Sequence, residues 1–392
     1  MLIPLAAATP TTCGNKAAAL ATLLEAGLPV PFGVVIPSTT GLDRAEAGDQ
    51  LGRAEVEELR RWLMGMGDPV VAVRSSASNE DTGVTSAAGQ HDSFLGVRSL
   101  DAVVDAVHAC RASLWSARAT AYRKTAEESS MAVIIQLQME ADVAGVLFTP
   151  IDRGPTLIES SWGLGPTVVE GRLTPDRYQV LDNTVTSAIA DKPTSLTSTG
   201  PTPVPTDKRR MPTLTNTTAV QLAALGNQAA TVFGRPQDIE WAIAANKIWL
   251  LQSRPVTAHP SIPTGQAETP TQPPGTTGQP LSGTLFGIPA SQGTATGPAR
   301  IVRGPADFSK VHPGDILVCP HTDPAWTRLL TLAAGVITES GGILSHAAIV
   351  AREQSIPAVV SVPQATTHIP ENTPTTLNGA TGTIHLKPTE QT

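Results

Sequence analysis

One segment restricts this chain more than any other: GVITESGGILSHAAIVARE, the 19 residues from 335 to 353. GVITES is apolar and β-branched and reads as a buried strand ending at Glu339. Gly341 and Gly342 follow, and their missing side chains allow a tight turn. Ser345 stands at an N-cap position, and HAAIVARE starts a helix at His346. An imidazole is therefore held in the first turn of a helix, behind two glycines. Neutral imidazole is a good nucleophile near neutral pH. A phosphoryl group bonded to it would lie beside free backbone N–H groups and the positive end of the helix dipole. A histidine that only caps or packs a helix start is the alternative, and the glycines and the small-residue helix weigh against it.

The chain has 392 residues, enough for two or three domains, and 41% of them are hydrophobic. Upstream, GNKAAALATLLEAGL (14–28) reads as a Gly-led turn and a helix, and PVPFGVVIP as a buried strand. A second helical pattern covers 42–66, and VVAVRSSAS is a strand running into a Ser-rich loop. A long helix is predicted over 99–126, and strands over MAVIIQLQM and GVLFTP. Two stretches dense in Pro, Thr and Ser, 191–217 and 258–283, read as loops or linkers of polyproline character. The second separates two regions of ordinary globular composition, so the domain boundary is placed there. The C-terminal block alternates Gly/Pro turns with short strands (ARIVRG, DILVCP, GVITES) and has one clear helix, 346–353. The fold class expected is α/β (α+β).

Composition excludes some functions. Net charge is −7, and no basic stripe exists to release counterions from nucleic acid. The one basic run, Lys208-Arg209-Arg210, reads as a solvated loop. Three scattered cysteines (Cys13, Cys110, Cys319) show no metal spacing and fit a reduced, cytoplasmic setting. No apolar stretch reaches the ~20 residues that span a bilayer, and the N-terminus lacks the basic region of a signal peptide.

The N-terminal half has no Walker A sequence, but several of its residues suit a nucleotide. Lys16 follows a Gly turn and could reach phosphate as a point charge. Arg74, ending a strand, could grip phosphate with two donors. Gly89 would let backbone approach the nucleotide. Glu240 and Gln252 fall on two strands joined by a short AANK turn and could both point oxygens at one Mg²⁺. Arg254 lies two residues past Gln252, on the same face, and could neutralise transferring phosphate. Each alone also reads as a solvated surface residue; their joint pattern carries the argument.

GGILSHAAIVARE, with DPAW (323–326) and SIPAVV (355–360), resembles the swivelling phosphohistidine domain of phosphoenolpyruvate-utilising enzymes. That group includes phosphoenolpyruvate synthase, pyruvate phosphate dikinase and rifampicin phosphotransferase. GNKAAAL, AVRSSASNED, AGQHDSFLGV, SARATAYR, SSWGLGPTVVEGRLTPDRY and DIEWAIAANKIWLLQSRPVT resemble, in this order, the ATP-grasp-like domain of the same enzymes. The resemblance covers nearly the whole chain apart from the two Pro/Thr-rich stretches. It implies an ATP-grasp-like domain over 1–257, a linker over 258–283 and a swivelling phosphohistidine domain over 284–388. It implies that His346 is phosphorylated from ATP with Mg²⁺, in the dikinase pattern that releases AMP, and that the histidine then hands the group to an acceptor. The ATP-site residues it implies are Lys16, Arg74, Gly89, Ser93, Gln136 (near adenine), Glu240, Gln252 and Arg254; Arg118 matches a family segment without a clear role.

The 26-residue linker, as a flexible coil, would span about 25–30 Å, a reach compatible with two docking positions. Synthases and dikinases continue into a pyruvate-binding barrel, and rifampicin phosphotransferase carries an antibiotic-binding domain; these 392 residues contain neither. The acceptor is therefore expected to be a small molecule held between the domains, or to be bound by a separate protein, as in a split synthase or dikinase. A nucleotide-binding regulator and an acyl-phosphate-forming ligase are the competing classes. The first conflicts with the presence of every charged site residue, and the second leaves the histidine motif unused.

Overall fold

A computed structural model describes residues 1–38, 51–78, 93–114, 131–260 and 283–387. The first sheet comprises β1 (Ile3–Pro4), β2 (Gly33–Ile36), β3 (Val71–Ala77), β4 (Ser93–Val97) and β5 (Met131–Leu137), in the order β1-β2-β5-β3-β4. MAVIIQL is apolar except for Gln136 because both faces of β5 are covered. Ala132 and Ile134 pack with α1 (Pro10–Glu25). Met131, Val133 and Ile135 pack with α2 (Arg53–Gly65) and α3 (Leu100–Ser113). The helix expected to start after Gly14 begins earlier, at Pro10, and Gly14 breaks it with φ 74°. A Cβ at Gly14 would stand 2.3 Å from the Ser76 carbonyl oxygen, so the glycine permits close contact with β3. Of the helices expected over 42–66 and 99–126, residues 42–50 and 115–126 lie outside the described residues.

The second sheet contains β6 (Val143–Phe148), β7 (Thr156–Trp162), β8 (Asp176–Leu181), β9 (Thr184–Ala188), β12 (Gln237–Ala244) and β13 (Lys247–Pro255). Its order is β13-β12-β6-β7-β8-β9, antiparallel throughout. A short α4 (Pro166–Val169) follows β7. The long α5 (Asn216–Phe233) is capped by Thr215, whose hydroxyl accepts from Thr218 N–H at 3.1 Å, and it ends on left-handed Gly234. It packs Ala219 and Leu222 with Leu147, Ile158, Tyr178 and Trp241, in a core shared with α1.

The 191–217 stretch departs from the sequence reading. It is no polyproline linker: β10 (Thr194–Thr197) and β11 (Gly200–Pro203) pair in a hairpin within it. Lys192 is fully buried, with its ammonium 2.5 Å from Asp176 Oδ1 and 2.9 Å from the Ala190 carbonyl. The other Asp176 oxygen accepts from Thr213 N–H and Oγ1–H, each at 2.9 Å. The basic run is not simply solvated either. Arg209 donates twice to Asp191, at 2.7 and 2.8 Å, and the Lys208 ammonium lies over the Trp162 ring.

The third sheet comprises β14 (Thr284–Phe286), β15 (Ile288–Ser291), β16 (Thr294–Ile301), β17 (Ile316–Cys319), β18 (Gly335–Thr338), β19 (Ala358–Val360), β20 (Pro374–Asn378) and β21 (Thr383–Leu386). Its order is β14-β21-β20-β16-β17-β18-β19-β15, with β16 to β19 mutually parallel at the centre. The helices α6 (Thr327–Leu330), α7 (His346–Glu353) and α8 (Ala365–His368) complete the module. Leu317, Val336, Ala348, Ala351 and Val360 form the core beneath α7. Residues 261–282, most of the expected linker, lie outside the described residues. Cys13, Cys110 and Cys319 are buried and form no disulfide. Among the described residues no helix is long and apolar enough to cross a membrane.

The Lys192–Asp176 pair ties the hairpin segment to the second sheet. Asp176→Ala strands a buried ammonium and is expected to lower stability by about 3–5 kcal/mol. Chemical denaturation of the variant checks this, and a loss below ~1 kcal/mol would contradict the assigned role.

Candidate active site

β18 runs into the turn at Gly341, whose φ of 107° only glycine adopts readily, and α7 starts at His346 as expected. One detail differs. Ser345 occupies the N-cap but its hydroxyl caps no helix N–H; it donates instead to the Gly342 carbonyl at 2.8 Å, tightening the turn. His346 is 4% exposed. Thr322 Oγ1 lies 3.0 Å from its Nδ1, and Thr327 Oγ1 lies 3.3 Å from its Nε2. The Thr327 contact is the less buried of the two.

A cavity of ≈ 350 Å³ opens in front of this ring, within the size range of small-molecule sites. Lys16, Arg74, Ser93, Gln136, Glu240, Gln252, Arg254 and His346 all line it. The residues singled out from sequence thus converge on one space, except Gly89 and Arg118, which lie outside the described residues. Lys16 reaches the cavity from α1, Arg74 from the middle of β3 rather than its end, and Ser93 from β4, directly opposite Arg74. Gln136 is buried on β5 and donates to the Pro31 carbonyl at 3.0 Å. Apolar wall is supplied by Ala72, Leu137, Met139, Ala144 and Leu164.

β12 and β13 place the polar wall. Ala245 and Asn246 take left-handed φ of 49° and 58° in a two-residue hairpin turn, and the register sets Glu240 opposite Gln252. Arg74 joins them: Nη2 donates to Gln252 Oε1 at 2.7 Å and lies 3.4 Å from Glu240 Oε2, while Nη1 donates to the Leu251 carbonyl. Arg254 is fixed by Asp238, whose Oδ2 accepts from Nε at 2.8 Å, both side chains being about 95% buried. Burial pushes the Asp238 carboxyl up, and Arg254 opposes that. Glu240 and Gln252 offer adjacent oxygens to a cation. No cluster of three or more His, Cys, Asp or Glu occurs among the described residues, so such a cation would need phosphate oxygens as further ligands, as Mg²⁺ commonly does.

Sequence reasoning passed over several residues. Asp238 was legible: it lies two residues before Glu240, on the same face of β12. Thr322 immediately precedes the DPAW segment, but nothing in its spacing from His346 announces contact. Glu170, which lines the same cavity as His346, has its carboxyl pushed up by burial, against the pull of Arg172 and with the help of Asp323. Glu159, buried on β7, joins the two halves. Its Oε1 accepts from Ile343 N–H at 2.8 Å and its Oε2 from Leu344 N–H at 3.0 Å.

These features define a nucleotide-sized cavity with fixed cations on one wall and an imidazole on another. Comparison with known proteins agrees. Residues 46–273 match the family of the pyruvate phosphate dikinase AMP/ATP-binding domain, and residues 311–382 match the mobile domain of PEP-utilising enzymes. The chain belongs to the family of the pyruvate phosphate dikinase AMP/ATP-binding domain, and its fold class is the expected α/β. It is 34% identical over 429 residues to a probable phosphoenolpyruvate synthase of Methanothermobacter thermautotrophicus, covering 95% of this chain and 61% of the relative. A probable phosphoenolpyruvate synthase of Pyrococcus abyssi is 35% identical over 365 residues, covering 87% and 43%. The phosphoenolpyruvate synthase of Aeropyrum pernix is 32% identical over 461 residues, covering 95% and 56%. The chain therefore spans about half the length of the curated relatives it matches.

The threonine contacts fix the imidazole. Thr322→Val keeps the shape and removes the hydroxyl at Nδ1, so the ¹⁵N resonances of His346 are expected to move while those of distant histidines such as His385 stay. Unchanged His346 resonances would show that this contact does not set the ring's state.

Proposed function

We propose that the chain transfers a phosphoryl group from ATP to His346 in the dikinase manner, releasing AMP, and then from His346 to a small-molecule acceptor. The observation that carries this reading is the single cavity lined by Lys16, Arg74, Arg254 and His346 together. A nucleotide held by the first three would present its phosphates to the imidazole. With the proton on Nδ1 and facing Thr322 Oγ1, Nε2 keeps a lone pair for attack on the β-phosphorus. The N–P bond forms as the bond from the β-phosphorus to the α,β-bridging oxygen breaks, and AMP leaves with that electron pair. Water or inorganic phosphate then attacks the γ-phosphorus, the bond from the γ-phosphorus to the β,γ-bridging oxygen breaks, and phosphate or pyrophosphate respectively leaves while the β-phosphoryl stays on His346.

Arg254, immobilised by Asp238, is placed as the transition-state cation, and Arg74 and Lys16 as ground-state phosphate holders. Gln136, Ser93 and Gly89 are assigned to nucleotide binding, Gln136 on the adenine side. Mg²⁺ would sit on Glu240 and Gln252 with phosphate oxygens, where it supplies charge neutralisation. The domain limits 1–257 and 284–388, joined by 258–283, are proposed with this function. So is a cytoplasmic setting, which three cysteines without a disulfide support.

A second reading is favoured by the relatives' names and by the chain spanning about half of their length. On that reading the acceptor is pyruvate, held on a domain or polypeptide outside these residues. Either way the first half-reaction is the same.

Incubation with [β-³²P]ATP and Mg²⁺ tests it. Label is expected on the protein and absent from His346→Ala. Glu240→Ala and Arg254→Ala should cut the labelling rate by about 100-fold or more with His346 intact. Label that persists in His346→Ala would end the proposal; normal labelling in the other two would move the ATP site elsewhere.

A further inference from the structure

The cavity closes only because the histidine module is seated on the nucleotide half, and the seating has a definite chemical centre. Glu159 is 1% exposed and gives one carboxylate oxygen to each of two successive backbone amides, Ile343 and Leu344, immediately before α7. A Cβ on Gly342 would land 2.0 Å from one of those oxygens and 2.3 Å from the other, so the carboxylate reaches the amides only because residue 342 has no side chain. Around this fork, Ser340 Oγ donates to the Gly171 carbonyl at 2.7 Å and Gly341 N–H to the Leu173 carbonyl at 3.1 Å. Ile343, Leu344 and Ile349 pack on Val146, Phe148, Leu157 and Val168. From the far side, Arg352 donates to the Ile343 carbonyl at 2.8 Å, fixing the peptide that Glu159 grips. Glu159 itself stands outside the cavity wall and touches neither the imidazole nor the described phosphate-facing cations.

We propose that Glu159 is a positioning residue: its carboxylate, clasping the Ile343 and Leu344 amides across Gly342, seats His346 at the nucleotide. This rests on the phosphohistidine reading above. The amides that Glu159 accepts from return to water when the module leaves, so losing the carboxylate penalises the seated state and spares each half's own fold. Glu159→Gln keeps the size but turns one acceptor into an N–H₂ facing an N–H. Gly342→Ala drives a methyl into the carboxylate. Each alone should therefore unseat the histidine. Removal of the carboxylate makes room for the methyl, so the two lesions should not add.

The test uses the intact chain and three readouts. The rate of His346 labelling from [β-³²P]ATP is expected to fall about tenfold or more in Glu159→Gln and in Gly342→Ala. In a Glu159→Ala background, adding Gly342→Ala should lower the rate by less than about twofold further. ATP affinity by equilibrium dialysis should stay within about twofold of wild type in every variant, which also shows that the nucleotide half is folded. Small-angle scattering should show a larger mean radius of gyration in both single variants. Wild-type labelling rates in the single variants, or fully additive losses in the double, would overturn the assignment. If the unmodified chain takes no label, the phosphohistidine reading fails on its own, and scattering unchanged by both single variants would then overturn the clasp separately.

Discussion

Two backbone amides and one carboxylate join the two halves of the candidate site. The cations that line the cavity stand on α1, β3 and β13, with the first two sheets, and the imidazole stands on α7, with the third. Glu159 is the buried charge at their junction, and a buried carboxylate is costly unless it is paired and fully hydrogen-bonded. Burial pushes its acidity down; the Leu344 and Ile343 amides, Arg177 across the strand pair, and Arg352 pull the other way. Arg352 feels the mirror image. Burial lowers its pKa to about 10, against the attraction of Glu159, Asp238 and Glu353. The same guanidinium donates to carbonyls of Ala258, Ala290 and Ile343, which belong to the segment leaving the second sheet, to β15 and to the turn before α7. Seating the module therefore completes an electrostatic circuit as well as an apolar contact.

The same logic governs the cavity wall. Arg254 and Arg74 are long side chains that free solvent would leave with many rotamers, and ordering them at the moment of reaction would cost conformational entropy. Here the ordering is done beforehand. Asp238 holds Arg254 from below, and Gln252 together with the Leu251 carbonyl holds Arg74. Donors already aimed before charge develops need no reorganisation when it does, which is where preorganised sites gain most. Asp238 is also why Arg254 can be buried: with Asp238 paired at 2.8 Å, the guanidinium sits at 5% exposure without an isolated charge.

What the sequence revealed followed period and turn chemistry. The strand–glycine–helix unit around His346 was legible because two glycines and an apolar run restrict the backbone locally. The hairpin of Glu240 and Gln252 was legible from its short turn, but their exact pairing was not: the turn alone would set Glu240 opposite Leu251, and a register shift between Glu240 and Trp241 brings Gln252 there instead. The misread 191–217 stretch shows the limit. Its Pro and Thr content argues for an unpaired chain, yet Lys192 finds Asp176 on β8, and a tertiary ion pair overrides composition. Glu159, Thr322 and Thr327 were missed for a related reason: each meets its partner through the packing of separate strands and helices, at sequence separations of 184, 24 and 19. Ser345 was placed correctly at the N-cap, but its hydroxyl donates to the Gly342 carbonyl and caps no helix N–H.

The character of the junction also bears on how the proposed second half-reaction proceeds. At 4% exposure, His346 is approached through the cavity that it lines while the module is seated. The seating must be tight enough to orient the ring and weak enough to release it. A wholly apolar junction the size of a domain core would favour permanent association. Here the apolar part is one small cluster around Ile343, Leu344 and Ile349, and much of the remainder is hydrogen bonding by Glu159, Gly171, Leu173 and Thr174. Water satisfies those same groups once the module lifts away, so their net contribution to seating is modest while their geometric demand is strict. Orientation and release then arise from the same contacts: the carboxylate fork fixes where the imidazole stands, and its near-balance with solvent lets the imidazole leave.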